Sequence, residues 1–173
     1  MTPVHIRWMI RADMPHVLEI AKACGLGWDL ETFLFQLRQR NVIGMVIEVN
    51  EIAWPYSKVV GYGLHVLHKK CIEIQTMAVH PKFQKQGIGR QYVDKIKSKL
   101  SPQRRSSVTA MLDERQLDAQ CFMRQCGFKA NQVLRGFFED CEGEYDAYGF
   151  SFGETVDVLG EMEVAEDVDL RDL

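Results

Sequence analysis

The run Gln84-Lys85-Gln86-Gly87-Ile88-Gly89-Arg90 has the residue types and spacing to hold an anion. Two glycines two residues apart let the backbone approach a ligand closely and turn several N–H groups toward one point. From Ile88 onward, Ile88, Tyr92, Val93, Ile96 and Leu100 recur at helical spacing, so the turn leads straight into a helix N-terminus. The unpaired N–H groups and positive dipole end there favour a phosphate. Ahead of the turn, Ile74, Thr76 and Ala78 alternate with Gln75, Met77 and Val79 in a β-rich run. It is expected to stop at His80-Pro81, because proline cannot donate to a continuing ladder.

No Gly-Lys-Ser/Thr follows at the spacing of a Walker A loop, and G-x-G-x-x-G is also absent. The pattern Val79-x-Pro81-x-x-Gln84-x-x-Gly87-x-Gly89 instead resembles the Q/R-x-x-G-x-G/A pyrophosphate loop of the GNAT superfamily of acetyl-CoA-dependent N-acetyltransferases. The likeness extends from about Val4 to Phe152. The branch it resembles is the RimI-type ribosomal-protein alanine N-acetyltransferases. Trp28-Asp29-Leu30-Glu31-Thr32-Phe33 is similar to their substrate-side W-S-E-x-x-F, and Phe122 to Phe128 to L-Y-E-x-x-G-F. Gly143-Glu144-Tyr145-Asp146-Ala147 is similar to their late E-D-A stretch.

The resemblance implies acetyl-CoA as cosubstrate, lying against the backbone of Met77, Ala78 and Val79 with its pyrophosphate on Lys85, Gln86, Gly87, Ile88, Gly89 and Arg90. Gln84 belongs to the same motif, and Gln116 matches the asparagine that contacts the pantetheine arm. Trp28, Phe33, Phe137 and Phe138 fall on substrate-side positions; for Trp28 and Phe33, core anchoring is an equal alternative. Two catalytic positions depart from the pattern. The general-base glutamate falls on Met111 and the general-acid tyrosine on Met123, and neither thioether can move a proton. Gly136-Phe137-Phe138 keeps the rings of the N-Y-Y lid and loses its hydroxyls.

Glu73 stands where the histone-acetyltransferase branch has its general base, which makes it the substitute candidate; an ordinary polar residue at a strand start is the competing role. His65, His68 and His80 rank behind it. The implied chemistry is attack of a neutral amine on the thioester carbonyl, polarised by amide N–H groups near Met77 to Val79. The leaving thiol, by analogy with a free thiol near pKa ~8.5, needs only modest acid assistance. An α-amine near ~8 needs less help than a lysine near ~10.4, a difference of about 3 kcal/mol at neutral pH, so a weak base suits a protein N-terminus. Two readings follow: an N-acetyltransferase using direct transfer, or a catalytically impaired acyl-CoA-binding module with a regulatory or partner-binding role.

Such a loop needs a strand and a helix to hold it, and 173 residues suit one domain that buries a single core. With 46% apolar and 26% charged residues and no apolar run of membrane-span length, an ordinary cytoplasmic protein is expected. No secretory pattern opens the sequence. Cys24, Cys71, Cys121, Cys126 and Cys141 lack metal-ligand spacing, so reduced thiols and no metal are expected, with Cys121 and Cys126 read as small buried hydrophobes. Residues 153–173 hold eight acidic side chains against Arg171 alone, a net of -7. Residues 1–152 therefore carry +4 within the chain's -3, which suits a phosphate ligand and is too little for nucleic acid. The domain is expected over 1–152, with 153–173 as a flexible acidic tail.

The elements expected are a strand over Val4 to Arg11, a helix from an Asp13 N-cap to about Cys24, and a helix over Leu30 to Arg40. Strands follow over Val42 to Val49 and Val59 to Leu67, separated by a loop at 52–56, and then the Glu73 strand and its helix. A strand over Ser107 to Leu112, a helix closed by Gly127, and a hairpin of Val133 to Phe138 with Tyr145 to Phe152 complete an α+β fold around a mixed sheet with about four helices.

Overall fold

Apolar runs rich in β-branched residues and two amphipathic helical stretches decide the first half of the chain. In the computed structural model, which describes residues 2–49 and 59–154, they form β1 (Val4–Trp8), α1 (Met14–Ala23), α2 (Leu30–Leu37), β2 (Val42–Val49) and β3 (Val59–Leu67). β4 (Cys71–Val79), α3 (Ile88–Lys97), β5 (Ser107–Asp113), α4 (Leu117–Gln125), β6 (Lys129–Asp140) and β7 (Gly143–Gly153) follow. The strands make one mixed sheet in the order β1-β2-β3-β4-β5-β7-β6. The β4–β5 ladder is parallel, and those of β1–β2, β2–β3, β5–β7 and β6–β7 are antiparallel. The expected loop at 52–56 and the acidic stretch beyond Glu154 lie outside the described residues.

Two compact units divide the chain, one of residues 1–67 and 74–98, the other of 68–73 and 99–173. In the first, Met14, Val17, Ile20 and Ala21 of α1 and Phe33 of α2 pack on Val46, Tyr62, Leu64 and Ala78. Each large side chain so buried contributes about 1.5–3 kcal/mol. Phe33 is fully enclosed, its ring 5.1 Å from Trp28 and 5.3 Å from Tyr62. On α3, Ile88, Tyr92, Val93 and Ile96 are buried. Tyr92 lies directly over Gly63, where a Cβ would overlap its ring, so glycine there lets α3 sit down on β3.

In the second unit, Val108 and Ala110 of β5, Met123 of α4, and Ala147 and Phe150 of β7 are buried. The β4–β5 ladder consists of Cys71↔Ser107, Ile72↔Val108 and Glu73↔Thr109. Between Leu134↔Ala147 and Phe138↔Tyr145 the β6–β7 register shifts, so Arg135, Gly136 and Phe137 stand against Asp146 alone. Gly136 takes a φ of 59°, and its N–H donates to the Asp146 carboxylate at 3.0 Å. This bulge presents Phe137 to solvent, with the Phe138 ring edge-on at 5.0 Å.

One local expectation is refined and one corrected. Asp13 holds the N-cap position of α1 as expected, but its side chain does not cap the helix: the carboxylate accepts from the Ile10 N–H and from both terminal nitrogens of Arg7, each at 2.8 Å. Of Cys121 and Cys126, only Cys126 is buried; Cys121 faces solvent on α4.

Candidate active site

The chain's handling of β4's end decides what the loop can bind. After Val79 a one-turn helix, Pro81–Phe83, reverses the chain, with proline at its first position, where a missing N–H costs nothing. The His80 ring accepts the Lys82 N–H at 3.2 Å. Lys85 then takes a φ of 61° and Gly87 a φ of 78°, two left-handed residues within three. Such backbone forms an N–H-lined concavity for an anion. Gly87 is the N-cap of α3, which puts Ile88, Gly89 and Arg90 in the first turn, where N–H groups have no intrahelical acceptor. Lys85 and Arg90 are exposed beside them.

Side-chain amides brace this loop from within. Gln84 Nε2 donates to the Val79 carbonyl at 2.9 Å, and Cys24 Sγ donates to the same oxygen at 3.4 Å. Burial pushes the Cys24 thiol pKa up, so it remains a donor at neutral pH. The Gln86 side chain accepts from the Thr2 hydroxyl at 3.1 Å and its carbonyl accepts the Thr2 N–H at 3.3 Å, while Gln91 Nε2 donates to the Thr2 carbonyl at 2.6 Å. The amides of Gln84 and Gln86 therefore hold the loop's shape, leaving backbone N–H groups and cationic heads to meet a ligand. The motif made Gln84 visible in the sequence; no local signal marked Cys24 or Thr2 as its neighbours.

Along β4, Glu73, Gln75 and Met77 share a face by alternation, spaced ~3.3 Å per residue. Gln75 Oε1 is buried with no hydrogen-bond partner among the described residues, an acceptor suited to a ligand's N–H. Glu73 is 7% exposed, and its Oε2 accepts from His68 Nε2 at 2.7 Å. The sequence ranks His68 behind Glu73; the fold pairs the two.

Tyr62 lies in the core with its hydroxyl buried, and burial raises its pKa to about 12. Tyr92 is pushed up further, also by burial, and its hydroxyl lies 3.2 Å from His65 Nδ1. Both phenols therefore stay protonated at neutral pH, and both side chains are fully buried. Met111 is half-buried on β5 and Met123 is buried on α4.

Trp28 is half-buried on the connection between α1 and α2, bordering an open depression lined by Leu18, Lys22, Leu26 and Leu30. Phe33, by contrast, is a core residue, the anchoring role left open by the sequence. Asp29 caps α2 by accepting the Thr32 N–H at 2.8 Å, and that bond holds its carboxyl below the usual range.

In the second unit Gln116 is exposed at the start of α4. Its neighbour Arg115 pairs with Asp113 at 2.6 Å and Asp140 at 2.9 Å and lies 3.3 Å over the Tyr145 ring. The guanidinium holds the Asp113 carboxyl below the ordinary range. This clamp ties the β5–α4 connection to the β6–β7 hairpin end, a link that no sequence spacing announced.

The model of the acetyltransferase (GNAT) domain matches residues 40–130. No curated protein matches the chain in sequence. Among solved structures, the ribosomal-protein-S18-alanine N-acetyltransferase of Escherichia coli superposes with a TM-score of 0.73 at 16% identity, covering 89% of this chain and 96% of that one. Arabidopsis thaliana NAA60 in complex with acetyl-CoA gives 0.76 at 13% identity, over 87% and 98% of the chains. Ard1 from Thermoplasma volcanium gives 0.71 at 21% identity, over 88% and 99%. At these identities the likeness is one of fold.

Proposed function

We propose that this chain, which belongs to the GNAT acetyltransferase family, is an acetyl-CoA-dependent N-acetyltransferase whose acceptor is a protein N-terminal α-amine. The observation that carries the reading is the pair of left-handed residues, Lys85 and Gly87, leading into the N-terminus of α3. The pyrophosphate of acetyl-CoA sits on the N–H groups of residues 85–90, and Lys85 and Arg90 neutralise its charge. The backbone of Met77, Ala78 and Val79 receives the acetyl-pantetheine end, with Gln116 on the arm. A pantetheine amide N–H would satisfy Gln75 Oε1.

Trp28, Phe137 and Phe138 are the substrate-side residues that the family pattern implies, and of the two phenylalanines Phe137 is exposed. The acceptor's neutral nitrogen forms a bond to the thioester carbonyl, β4 N–H groups stabilise the oxyanion, the C–S bond breaks and CoA leaves as its thiolate. Glu73 takes the proton lost by the nitrogen. A thiolate leaving group and an α-amine near pKa ~8 reduce the demand for acid and base, in keeping with methionine at positions 111 and 123. A cytoplasmic setting with its acetyl-CoA pool and unblocked protein N-termini suits this chemistry.

The experiment is free-thiol release from acetyl-CoA against a panel of peptides with free or blocked N-termini, lysine peptides and small amines. Thiol release with free N-termini and none with blocked ones is the expected result. Binding of acetyl-CoA without turnover on any acceptor would instead identify an acyl-CoA-binding module. No binding at millimolar acetyl-CoA would refute both.

A further inference from the structure

The connection between β3 and β4 is three residues, His68 to Lys70, and it carries more polar organisation than a hairpin turn needs. His68 donates its own N–H to the Cys71 carbonyl at 3.0 Å, and its carbonyl accepts from Arg105 Nε at 2.6 Å. The next residue along, Ser106, donates its N–H to the Lys70 carbonyl at 3.0 Å. The turn is thus fixed at three backbone points, and what it fixes is the His68 ring, 8% exposed, against the Glu73 carboxylate, 7% exposed. The carboxylate accepts, so the 2.7 Å bond needs the Nε2 proton on His68. One Glu73 oxygen is committed to that bond. The other has no hydrogen-bond partner among the described residues.

We infer that His68 is a positioning residue for Glu73: it holds the carboxylate in one rotamer so that its second oxygen meets the acceptor amine, and the turn locked by Arg105 holds His68. This rests on the proposed N-acetyltransferase reading with Glu73 as base. A buried carboxylate without such a partner would turn freely about its terminal torsions, which are broad for glutamate. A misplacement of about 1 Å in a reacting group costs on the order of 10²-fold in rate.

The test is a double-mutant cycle between positions 68 and 73, read by steady-state thiol release from acetyl-CoA with an unblocked N-terminal peptide as acceptor. Expected is a roughly 10- to 100-fold fall in kcat for His68→Leu, with the KM for acetyl-CoA unchanged. His68→Gln, which keeps a side-chain N–H donor, should recover most of that loss. In a Glu73→Gln background, His68→Leu should cost less than about twofold more, because the two residues act as a unit. If His68→Leu does not fold, His68→Asn, whose amide is too short to reach the carboxylate, takes its place with the same expected loss. Equal losses in both backgrounds, or a loss confined to KM, would overturn the positioning role while leaving Glu73 as base. Unchanged kcat for Glu73→Gln would instead overturn the base assignment, and with it this inference.

Discussion

Gly87 and Gly89 are two residues apart, yet the fold uses them differently, and alanine at each should act in opposite directions. Gly87 has φ 78° and ψ 8°, a left-handed conformation that costs an L-residue ~1–2 kcal/mol. At ~2–4 °C per kcal/mol for a chain of this size, Gly87→Ala should lower the melting temperature of the unliganded protein by about 2–8 °C. Gly89 lies inside α3, where alanine is preferred to glycine by up to ~1 kcal/mol, so Gly89→Ala should raise it by up to about 4 °C.

Binding is tested at Gly89 by a bulkier side chain, because the Q/R-x-x-G-x-G/A pattern admits alanine there and Gly89→Ala should keep its affinity. In Gly89→Leu the side chain on the first turn separates the pyrophosphate from N–H donors whose charge-assisted bonds are worth ~1.5–3 kcal/mol, which is roughly 10- to 150-fold in Kd. Differential scanning calorimetry on the alanine variants and isothermal titration of Gly89→Leu with acetyl-CoA measure these quantities. A folded Gly89→Leu protein that binds with unchanged affinity would show that the phosphate does not sit on this turn. Unchanged melting of Gly87→Ala would show that the left-handed cap is not required.

Asp13 supplies a pH signature: its pairing with Arg7 keeps its folded pKa below the unfolded value near ~3.9, so the stability it adds is present above that value and lost as pH falls through the folded pKa. Asp13→Asn should therefore melt lower than wild type at pH 7, with the gap narrowing below about pH 4 in a pH series of thermal scans. Met123→Tyr puts a larger, hydroxylated ring into a buried site and should cost ~1–3 kcal/mol by urea titration. Removing residues 155–173 should leave acetyl-CoA affinity unchanged by titration calorimetry, since the loop's bracing partners Thr2, Cys24 and Gln91 all lie elsewhere.

Local pattern carried much of the architecture. β2 and β3 occupy the spans expected of them, Val42–Val49 and Val59–Leu67, because continuous apolar runs and turn signals agree there, and β3 is buried on both faces. The loop and the start of α3 were equally readable, since glycine spacing and helical periodicity change register at one place, Ile88. β6 begins at Lys129, four residues before the expected Val133: it lies at the sheet's edge, mostly exposed, so no alternation marks its first residues. α2 ends at Leu37 rather than Arg40, as no periodic apolar residue follows it. The partners of the candidate site were hidden for a different reason. His68 meets Glu73 across a turn, Cys24 meets Val79 from 55 positions away, and Arg115 reaches Asp140, all contacts made by topology, which leaves no periodic trace.

The shared hold on Val79's carbonyl has a thermodynamic consequence. Cys24 caps the C-terminal end of α1 and leads through Leu26 to Trp28, while Gln84 opens the glycine loop; one oxygen ties both to β4. A ligand that tightens either side spends part of its binding energy on an arrangement the other side also needs. Under the proposed reading, linkage makes that saving reciprocal: whatever factor acetyl-CoA adds to the affinity of an acceptor beside Trp28, that acceptor returns to acetyl-CoA. The size of this coupling then rests on one carbonyl group and its two donors.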